Sequence, residues 1–320
     1  MIGKICGTGS YVPAHFLDNN DLSKMVDTND EWIRERTGVI RRHIIEEETT
    51  VSMSVEAARC ALENGGVAPQ EVDLILVSTF TSEVLLPCTA CEVQKELGAV
   101  NATGFDLNAA CTGFLFAYNT AQAYIASGVY QTVLVIGAES LSNTVNWEDR
   151  GTCILFGDGA GAAVLRAEEG RFYQPVTHSD GSLGSALTCM SRHRKNCPAR
   201  EEDLDSYMHM DGQAVFKFAV RKVPEVITEA LAGTEFTPCD IDYFILHQAN
   251  KRIVEAVAKR LKEDISKFPM NLQEYGNTSS ASIPILLDEI NRKGMLKRGD
   301  RLMMAGFGAG LSWGAVCLEW

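Results

Sequence analysis

Four runs of consecutive apolar residues stand out along the chain: 74–77, 133–136, 243–246 and 302–305. Apolar and polar residues do not alternate within these runs, which is typical of strands in a sheet covered by helices on both faces. Between the runs, apolar residues recur at helical spacing, as they do from Leu115 to Ile125. The pattern predicts an α/β fold.

The chain also contains an internal repeat of a helix, a turn with proline and an apolar strand. Three pairs of identical residues are 169 positions apart: Pro69 and Pro238, Asp73 and Asp242, and Gly137 and Gly306. Since α/β proteins reuse such patterns, one match could arise by chance, but three in one register favour a duplication. We therefore predict two α/β halves, residues 1–170 and 171–320, that together form one duplicated fold.

A second register, with an offset of 166, pairs Cys111-Thr112 with Asn277-Thr278 and Gly128 with Gly294. This register predicts that Cys111 and Asn277 occupy equivalent places in the two halves. If the halves pack about a pseudo-twofold axis, equivalent residues can converge on one shared site.

Composition narrows the classes of protein. The chain has 320 residues, too many for one ordinary core, and a formal net charge of −13, which argues against a nucleic-acid partner. No segment is long and apolar enough to span a bilayer, so no membrane partner is expected. The first residues, MIGKICG, resemble a strand rather than a signal peptide, and a cytoplasmic location is expected.

The ten cysteines lie mostly in apolar segments and are expected to be buried free thiols. Cys88 and Cys91 form a C-x-x-C pair, but no second pair lies at zinc-finger spacing, and the pattern does not place the pair at a helix start. Neither a metal site nor a redox site is predicted. The polar segment 188–205 is expected to be an exposed loop.

Cys111 is the cysteine with the most reactive setting. An apolar strand leads into it and a helical pattern follows, so it lies at a strand-to-helix turn with small neighbours, Ala110 and Gly113. Free N–H groups and the helix dipole at such a turn favour a thiolate. The position alone does not separate a nucleophile from one more buried structural cysteine.

Two further polar residues follow buried segments. His247 comes directly after the third apolar run, where sites of α/β sheets gather, and Asn277 lies at a loop-to-helix junction. Taken singly, they are equally compatible with a structural histidine and an ordinary turn residue. The glycine-rich loop 306–310 could bring backbone N–H groups to an oxyanion, or could be a plain turn between strands.

Together these segments resemble the β-ketoacyl-[acyl-carrier-protein] synthase III family along essentially the whole chain, in the family's order. The segments are DTNDEWI (27–33), RTGV (36–39), NAACTGF (108–114), RGTCILFGDGAG (150–161), HQANKR (247–252), YGNTSSAS (275–282) and GFGAGLSWG (306–314). The resemblance implies the thiolase-like five-layered α-β-α-β-α fold and a homodimer. It also implies the first condensation of fatty-acid synthesis, between a short acyl-CoA and malonyl-[acyl-carrier-protein], with acyl-CoA as substrate and neither cofactor nor metal.

The resemblance assigns catalytic roles to three residues. Cys111 is implied as the nucleophile that carries the acyl group, while His247 and Asn277 hydrogen-bond the thioester oxygen of the malonyl group as it becomes an enolate. The oxyanion formed at the acyl carbon is expected to accept hydrogen bonds from the backbone N–H groups of Cys111 and Ala309. A neutral histidine that donates through one ring nitrogen suits this role.

The resemblance also implies binding residues. Positions matching the family's CoA site are Trp32, Arg36, Arg150, Gly212, Phe216 and Asn250. Arg252 matches the family's contact with the acidic carrier protein. Leu86, just before Pro87, matches the residue that reaches the partner subunit's acyl pocket, where relatives often have an aromatic side chain. We therefore expect a pocket that admits primers larger than acetyl.

Three alternatives stay open at this point, and a fourth, a thiolase, is rejected. A related condensing enzyme could use CoA in place of a carrier protein, although Arg252 argues mildly against it. A non-catalytic subunit of the same fold would typically lack the nucleophile. A thiolase would need a second cysteine near the C-terminus in a glycine-rich loop, whereas Cys317 lies in an apolar strand. A Cys/His hydrolase would leave Asn277 and the arginines unexplained.

Overall fold

A computed structural model describes residues 1–190 and 206–320, so most of the predicted loop 188–205 lies outside the described residues. The N-terminal half contains β1 (Ile2–Tyr11), β2 (Phe16–Asp18), α1 (Asn19–Leu22), α2 (Asp30–Thr37), β3 (Arg41–His43), α3 (Thr50–Gly65), β4 (Leu74–Ser78), α4 (Thr89–Leu97), β5 (Thr103–Leu107), α5 (Gly113–Ala126), β6 (Thr132–Glu139), α6 (Arg150–Cys153) and β7 (Gly159–Glu168).

The C-terminal half is built from the same kinds of element. It contains β8 (Val176–Ser179), β9 (Leu187–Cys189), β10 (Met208–Met210), α7 (Gly212–Ala232), β11 (Tyr243–Leu246), α8 (Lys251–Leu261), α9 (Leu272–Tyr275), α10 (Ser282–Arg292), β12 (Arg301–Gly308) and β13 (Ser312–Glu319).

The two large sheets have matching strand orders. The first sheet runs β1-β7-β6-β4-β5, and the second, read from its other edge, runs β8-β13-β12-β11. The parallel pair β4–β6 corresponds to the parallel pair β11–β12, and the remaining shared pairs are antiparallel in both sheets. The predicted duplicated fold is confirmed. A boundary near residue 170, between β7 and β8, stays a proposal that this order supports.

Helices and sheets alternate in five layers. Helices α5 and α10 form the central layer, and their apolar side chains pack between inner-face residues of both sheets, such as Leu76 and Met304. Helices α3 and α4 cover the outer face of the first sheet, and α7 and α8 cover that of the second. Burial on both faces explains the uninterrupted apolar runs, because successive residues of β4 enter different core clusters.

The structure corrects the second register of the repeat. The turns Ala110–Thr112 and Ser279–Ala281 lead directly into α5 and α10, and both begin with a non-glycine residue in the left-handed region, with φ of 47° and 50°. This correspondence has the offset 169, so Cys111 is equivalent to Ser280, and its predicted equivalence with Asn277 is wrong.

The offset of 166 nevertheless has a physical origin. Gly128 and Gly294 both lie just past the central helices with left-handed φ values of 76° and 66°. Helix α5 has 14 residues and α10 has 11, so the helix ends are displaced by one short deletion while the helix starts are not. The repeat therefore has an offset of 169 at the starts of the two central helices and of 166 at their ends.

Among the described residues, no helix is long and apolar enough to cross a membrane.

Candidate active site

One cavity of about 570 Å³ connects the protein surface with the residues singled out for chemistry. Cys111, His247 and Asn277 are buried and line it together, 8%, 3% and 7% exposed. The exposed arginines Arg36 and Arg150 also line it. The cavity thus runs from a basic surface to a buried cluster of a thiol, an imidazole and an amide.

Cys111 lies in the turn between β5 and α5. The left-handed Ala110 turns the chain, and Gly113 then starts the helix against Ser78, whose Oγ atom would lie 1.8 Å from a Cβ atom at that position. Burial raises the pKa of the Cys111 thiol to about 12, although a hydrogen bond with the Ser279 side chain opposes this effect. The helix start predicted to favour a thiolate is present, but burial outweighs it, so the resting group is a thiol.

His247 follows β11 and is fixed through one ring nitrogen. Its Nδ1 atom lies 2.6 Å from Oγ of Ser282, and that Oγ accepts the N–H of Gln248 at 3.3 Å. The Ser282 hydroxyl has one proton of its own, and with Nδ1 as the acceptor of that proton we assign the ring proton to Nε2. Burial lowers the pKa of His247 to about 3, so the ring is neutral and donates one hydrogen bond through Nε2.

Asn277 is oriented by its own turn. Its backbone N–H donates to the Leu155 carbonyl at 2.8 Å, and its backbone carbonyl accepts from Gly157 at 3.1 Å. Its side-chain Oδ1 accepts the Ser279 N–H at 2.9 Å. Because Oδ1 is engaged in this way, the Nδ2 amide is the end of the side chain that can donate to a bound molecule. The site thus offers two neutral donors, one from His247 and one from Asn277.

Gly308, at the end of β12, lies directly against the backbone of Cys111. A Cβ atom at this glycine would lie 2.8 Å from the Cys111 nitrogen and 3.1 Å from the Thr112 nitrogen, so only glycine permits this approach. Gly308 lines the cavity, whereas Ala309, the predicted oxyanion donor, is in the turn that follows. The resemblance implied a donor from the loop at Gly308-Ala309, with Ala309 as the residue, and the close approach of Gly308 to the Cys111 backbone was not predicted.

The predicted CoA-binding residues share the cavity wall. All six line it: Trp32, Arg36, Arg150, Gly212, Phe216 and Asn250. The guanidinium carbons of Arg150 and Arg36 lie 4.9 Å and 5.8 Å from the Trp32 ring centre. Asn250 donates to the Arg36 carbonyl at 3.0 Å. An aromatic ring flanked by two cations is suited to a nucleotide with phosphate groups.

Like Ala309, the two residues predicted to contact other proteins lie outside the cavity lining. Arg252 is exposed at the start of α8, with its guanidinium carbon 5.3 Å from the Phe216 ring centre. Leu86 is 86% exposed, next to the exposed Val84 and Leu85, and does not line the cavity of its own chain. Their roles toward a carrier protein and a partner subunit stay predictions.

The C-x-x-C pair differs from its interpretation in the sequence. Cys88 is the N-cap of α4 and Cys91 lies in its first turn, with 3.5 Å between the sulfur atoms, so the pair is at a helix start after all. The Asp106 carboxylate accepts the first helical N–H groups, at 2.8 Å each, and a hydrogen bond from Cys88 raises the pKa of Cys91. Both effects disfavour a reactive thiolate. Across residues 1–190 and 206–320, no cluster of three potential metal ligands is present.

Comparisons with known proteins agree with this geometry. The family described as 3-oxoacyl-[acyl-carrier-protein] synthase III matches residues 105–181, and its C-terminal counterpart matches residues 231–320. A beta-ketoacyl-[acyl-carrier-protein] synthase III of Clostridium novyi (strain NT) is 49% identical over 99% of this chain and 98% of that protein. One from Desulfitobacterium hafniense (strain Y51) is 52% identical over 99% of this chain and 97% of that protein.

Solved structures extend the similarity to three dimensions. The crystal structure of 3-oxoacyl-[acyl-carrier-protein] synthase III from Aquifex aeolicus VF5 superposes with a TM-score of 0.94 and 44% identity, covering 99% of this chain and 100% of that one. The thiolase-like fold is therefore confirmed, and the chain belongs to the β-ketoacyl-[acyl-carrier-protein] synthase III family of acyltransferases.

Proposed function

We propose that this enzyme condenses a short acyl-CoA with malonyl-[acyl-carrier-protein] and releases CO₂, CoA and a β-ketoacyl-carrier-protein. The observation that carries the proposal is the single cavity that joins Trp32 and its two arginines to Cys111, His247 and Asn277. The cavity therefore offers both a nucleotide-binding entrance and a buried nucleophile.

In the first half-reaction, the Cys111 sulfur attacks the thioester carbonyl of acyl-CoA. The new carbon–sulfur bond forms as the bond to CoA breaks, and the acyl group stays on the enzyme. The backbone N–H of Cys111 and one from the turn at Ala309 are proposed to hold the oxyanion. The contact between Gly308 and the Cys111 backbone supports this arrangement, because it places the end of β12 next to the peptide nitrogen of Cys111.

In the second half-reaction, malonyl-carrier-protein enters the same site. Its carbon–carboxylate bond breaks, CO₂ leaves, and the electron pair forms an enolate. The enolate carbon attacks the acyl carbon, and the bond from that carbon to the Cys111 sulfur breaks, which frees the β-ketoacyl-carrier-protein and a Cys111 thiolate. The enolate oxygen accepts hydrogen bonds from His247 Nε2 and Asn277 Nδ2. A neutral imidazole suits this role, since it donates without carrying a charge that would be costly to bury.

The binding residues complete the proposal. Trp32 is proposed to stack on the adenine of CoA, with Arg36 and Arg150 on its phosphates and Gly212, Phe216 and Asn250 along the remaining wall. We propose that Arg252 receives the acidic carrier protein. We also propose a cytoplasmic homodimer in which Leu86 lines the partner subunit's acyl pocket, with no cofactor beyond the substrates.

Intact-protein mass spectrometry after incubation with acetyl-CoA tests the proposal. The native chain should gain one acetyl group, and Cys111→Ala should gain none. Absence of an adduct with acetyl-CoA, and with branched or longer acyl-CoA, would reject the proposed reaction. Comparing malonyl-carrier-protein with malonyl-CoA as the second substrate separates the proposal from a condensing enzyme that uses CoA alone. Faster turnover with isobutyryl-CoA than with acetyl-CoA would support a wide primer pocket.

A further inference from the structure

A buried carboxyl side chain lies close to the turn that holds Cys111. Glu139, the last residue of β6, is 0% exposed. Its Oε2 atom accepts three hydrogen bonds from the loop after β4: Thr81 Oγ1 at 2.7 Å, Thr79 Oγ1 at 3.2 Å and the Phe80 N–H at 3.2 Å. Its Oε1 atom accepts from Ser279 at 3.3 Å and from Ser280 at 3.1 Å. Among the described residues, no cationic side chain bonds this carboxylate.

The surroundings of Glu139 set its ionisation. Burial raises the pKa of Glu139 to about 7, and the hydroxyl and N–H donors only partly offset this effect. Cys111 is the titratable group that faces it across Ser279. The nearby carboxylates of packed elements have partners of their own: Asp158 bonds Ser142 and Ile45, and Glu83 bonds Thr50.

Ser279 links this carboxylate to the nucleophile. The turn Ser279–Ala281 packs against the turn Ala110–Thr112, which holds Cys111, and a hydrogen bond with the Ser279 side chain lowers the pKa of Cys111. The Ser279 hydroxyl also lies 3.3 Å from Glu139 Oε1. A hydroxyl has one proton and can accept as well as donate. It can donate to a Glu139 carboxylate while accepting from a Cys111 thiol, or donate to a Cys111 thiolate while accepting from a Glu139 carboxylic acid. Both patterns use the same three side chains and keep one negative charge in the buried site.

The acyl-loading step needs a proton acceptor near the Cys111 thiol. With its thiol pKa near 12, Cys111 must lose a proton to attack a thioester at neutral pH. His247 is a poor candidate, because burial holds its pKa near 3 and it would have to become a buried cation. Its Nε2 atom also already carries the proton that the enolate requires.

We propose that Glu139 accepts the proton of Cys111 through the Ser279 hydroxyl when the acyl group is loaded, an inference that rests on the proposed function. The thiol proton moves to Ser279 Oγ as the Ser279 proton moves to Glu139 Oε1. The thiolate electron pair forms the bond to the acyl carbon, and CoA leaves as a thiolate that takes a proton from water. When condensation releases the Cys111 thiolate, the proton returns along the same path.

The test follows alkylation of Cys111 by iodoacetamide as a function of pH, with the Cys111 peptide quantified by mass spectrometry. The native protein should show a rise in rate through about pH 7. Glu139→Gln and Ser279→Ala should lose that step and react about 10²-fold more slowly at pH 8. The matched control is Ser280→Ala, which removes a donor to the same Oε1 atom. It should keep the step, displaced to higher pH because the lost hydrogen bond lowers the pKa of Glu139.

A purely electrostatic effect of Glu139 on Cys111 would give the opposite result. An ionised Glu139 raises the pKa of Cys111 by repulsion, so a purely electrostatic neighbour would make Glu139→Gln react faster than the native protein. Faster or unchanged alkylation would overturn the proposal. Thermal unfolding checks each fold, and Ser279→Ala gives the answer if Glu139→Gln does not fold. Iodoacetamide needs no acyl-CoA site. The absence of any acyl adduct on the native protein, with acetyl-CoA and with branched or longer acyl-CoA, would therefore reject only the proposed function.

Discussion

The Oγ atom of Ser282, the first residue of α10, lies 2.6 Å from Nδ1 of His247. With Nδ1 accepting from Ser282, the neutral imidazole carries its proton on Nε2, from which it can donate a hydrogen bond to a molecule bound in the cavity. Ser282→Ala removes the contact with Nδ1, and we expect condensation to slow about tenfold, as loss of one hydrogen bond implies. Acyl loading of Cys111, followed by mass spectrometry, should be unaffected. An equal loss in both half-reactions would contradict the assignment.

The two cavity donors should act on condensation only. His247→Ala and Asn277→Ala should each lower the rate of malonyl decarboxylation about 10²-fold to 10³-fold, because each removes one donor to the enolate. Both variants should still form the acyl adduct on Cys111. The measurement is CO₂ release from malonyl-carrier-protein by preloaded enzyme. A variant that cannot be loaded would show that the side chain acts earlier than we propose.

Gly308→Ala should disrupt the site without touching a side chain that reacts. The added Cβ would lie 2.8 Å from the Cys111 nitrogen, so the turn must move and the oxyanion donor moves with it. We expect acyl loading to fall about 10²-fold. Gly181→Ala is the matched control, since a Cβ atom there has open space. Normal loading by the Gly308 variant would show that this close approach does not shape the oxyanion site.

Two arginines on α2 allow a matched test of the CoA site. Arg36 lines the cavity, whereas Arg34 pairs with Asp30 one helical turn earlier and does not line it. Arg36→Ala should raise KM for acyl-CoA about tenfold and leave kcat unchanged, because only ground-state binding is lost. Arg34→Ala should change neither constant. Similar effects of the two substitutions would point to general surface charge.

Glu139 should also make stability depend on pH. Its folded pKa of about 7 lies above the ordinary 4.5, so the native state keeps a proton that the unfolded chain has lost. The protonated carboxyl therefore contributes fully to the free energy of unfolding below about pH 4.5. This contribution, about 3 kcal/mol, is lost as pH rises through 7. Urea unfolding at pH 5 and pH 8 should show the native protein losing stability relative to Glu139→Gln. Parallel curves would contradict the raised pKa.

Much of the fold was accessible from the sequence because local patterns encode it. Uninterrupted apolar runs predicted four strands, two in each large sheet, and the register of Pro69 and Pro238 predicted the duplication. The equivalence of Cys111 with Asn277 failed because a shorter α10 shifts the helix ends by the same three residues that separate the two registers. A pattern of identical residues does not show where a helix begins.

The supporting contacts of the site were inaccessible for a different reason. Ser279 and Glu139 are 140 positions apart in the chain, and although Ser279 lies in the matched segment 275–282, the sequence assigned a role to neither residue. Ser282 likewise resembles any serine at a helix start, and only the packing of α10 beside β11 brings it to His247. The motifs identify the side chains expected to react, whereas tertiary packing determines which of their atoms carry protons.

The repeat also interlocks the two halves crosswise. Glu139, at the end of β6, holds the turn before α10, while Gly308, at the end of β12, rests against the turn before α5. Each half thus completes the other's turn. The proposed nucleophile, Cys111, belongs to one half, and the two proposed donors, His247 and Asn277, belong to the other. Expressed as two separate polypeptides, the halves would be inert alone and would regain activity only by complementation. A duplication of this kind makes the two halves depend on each other for one active site.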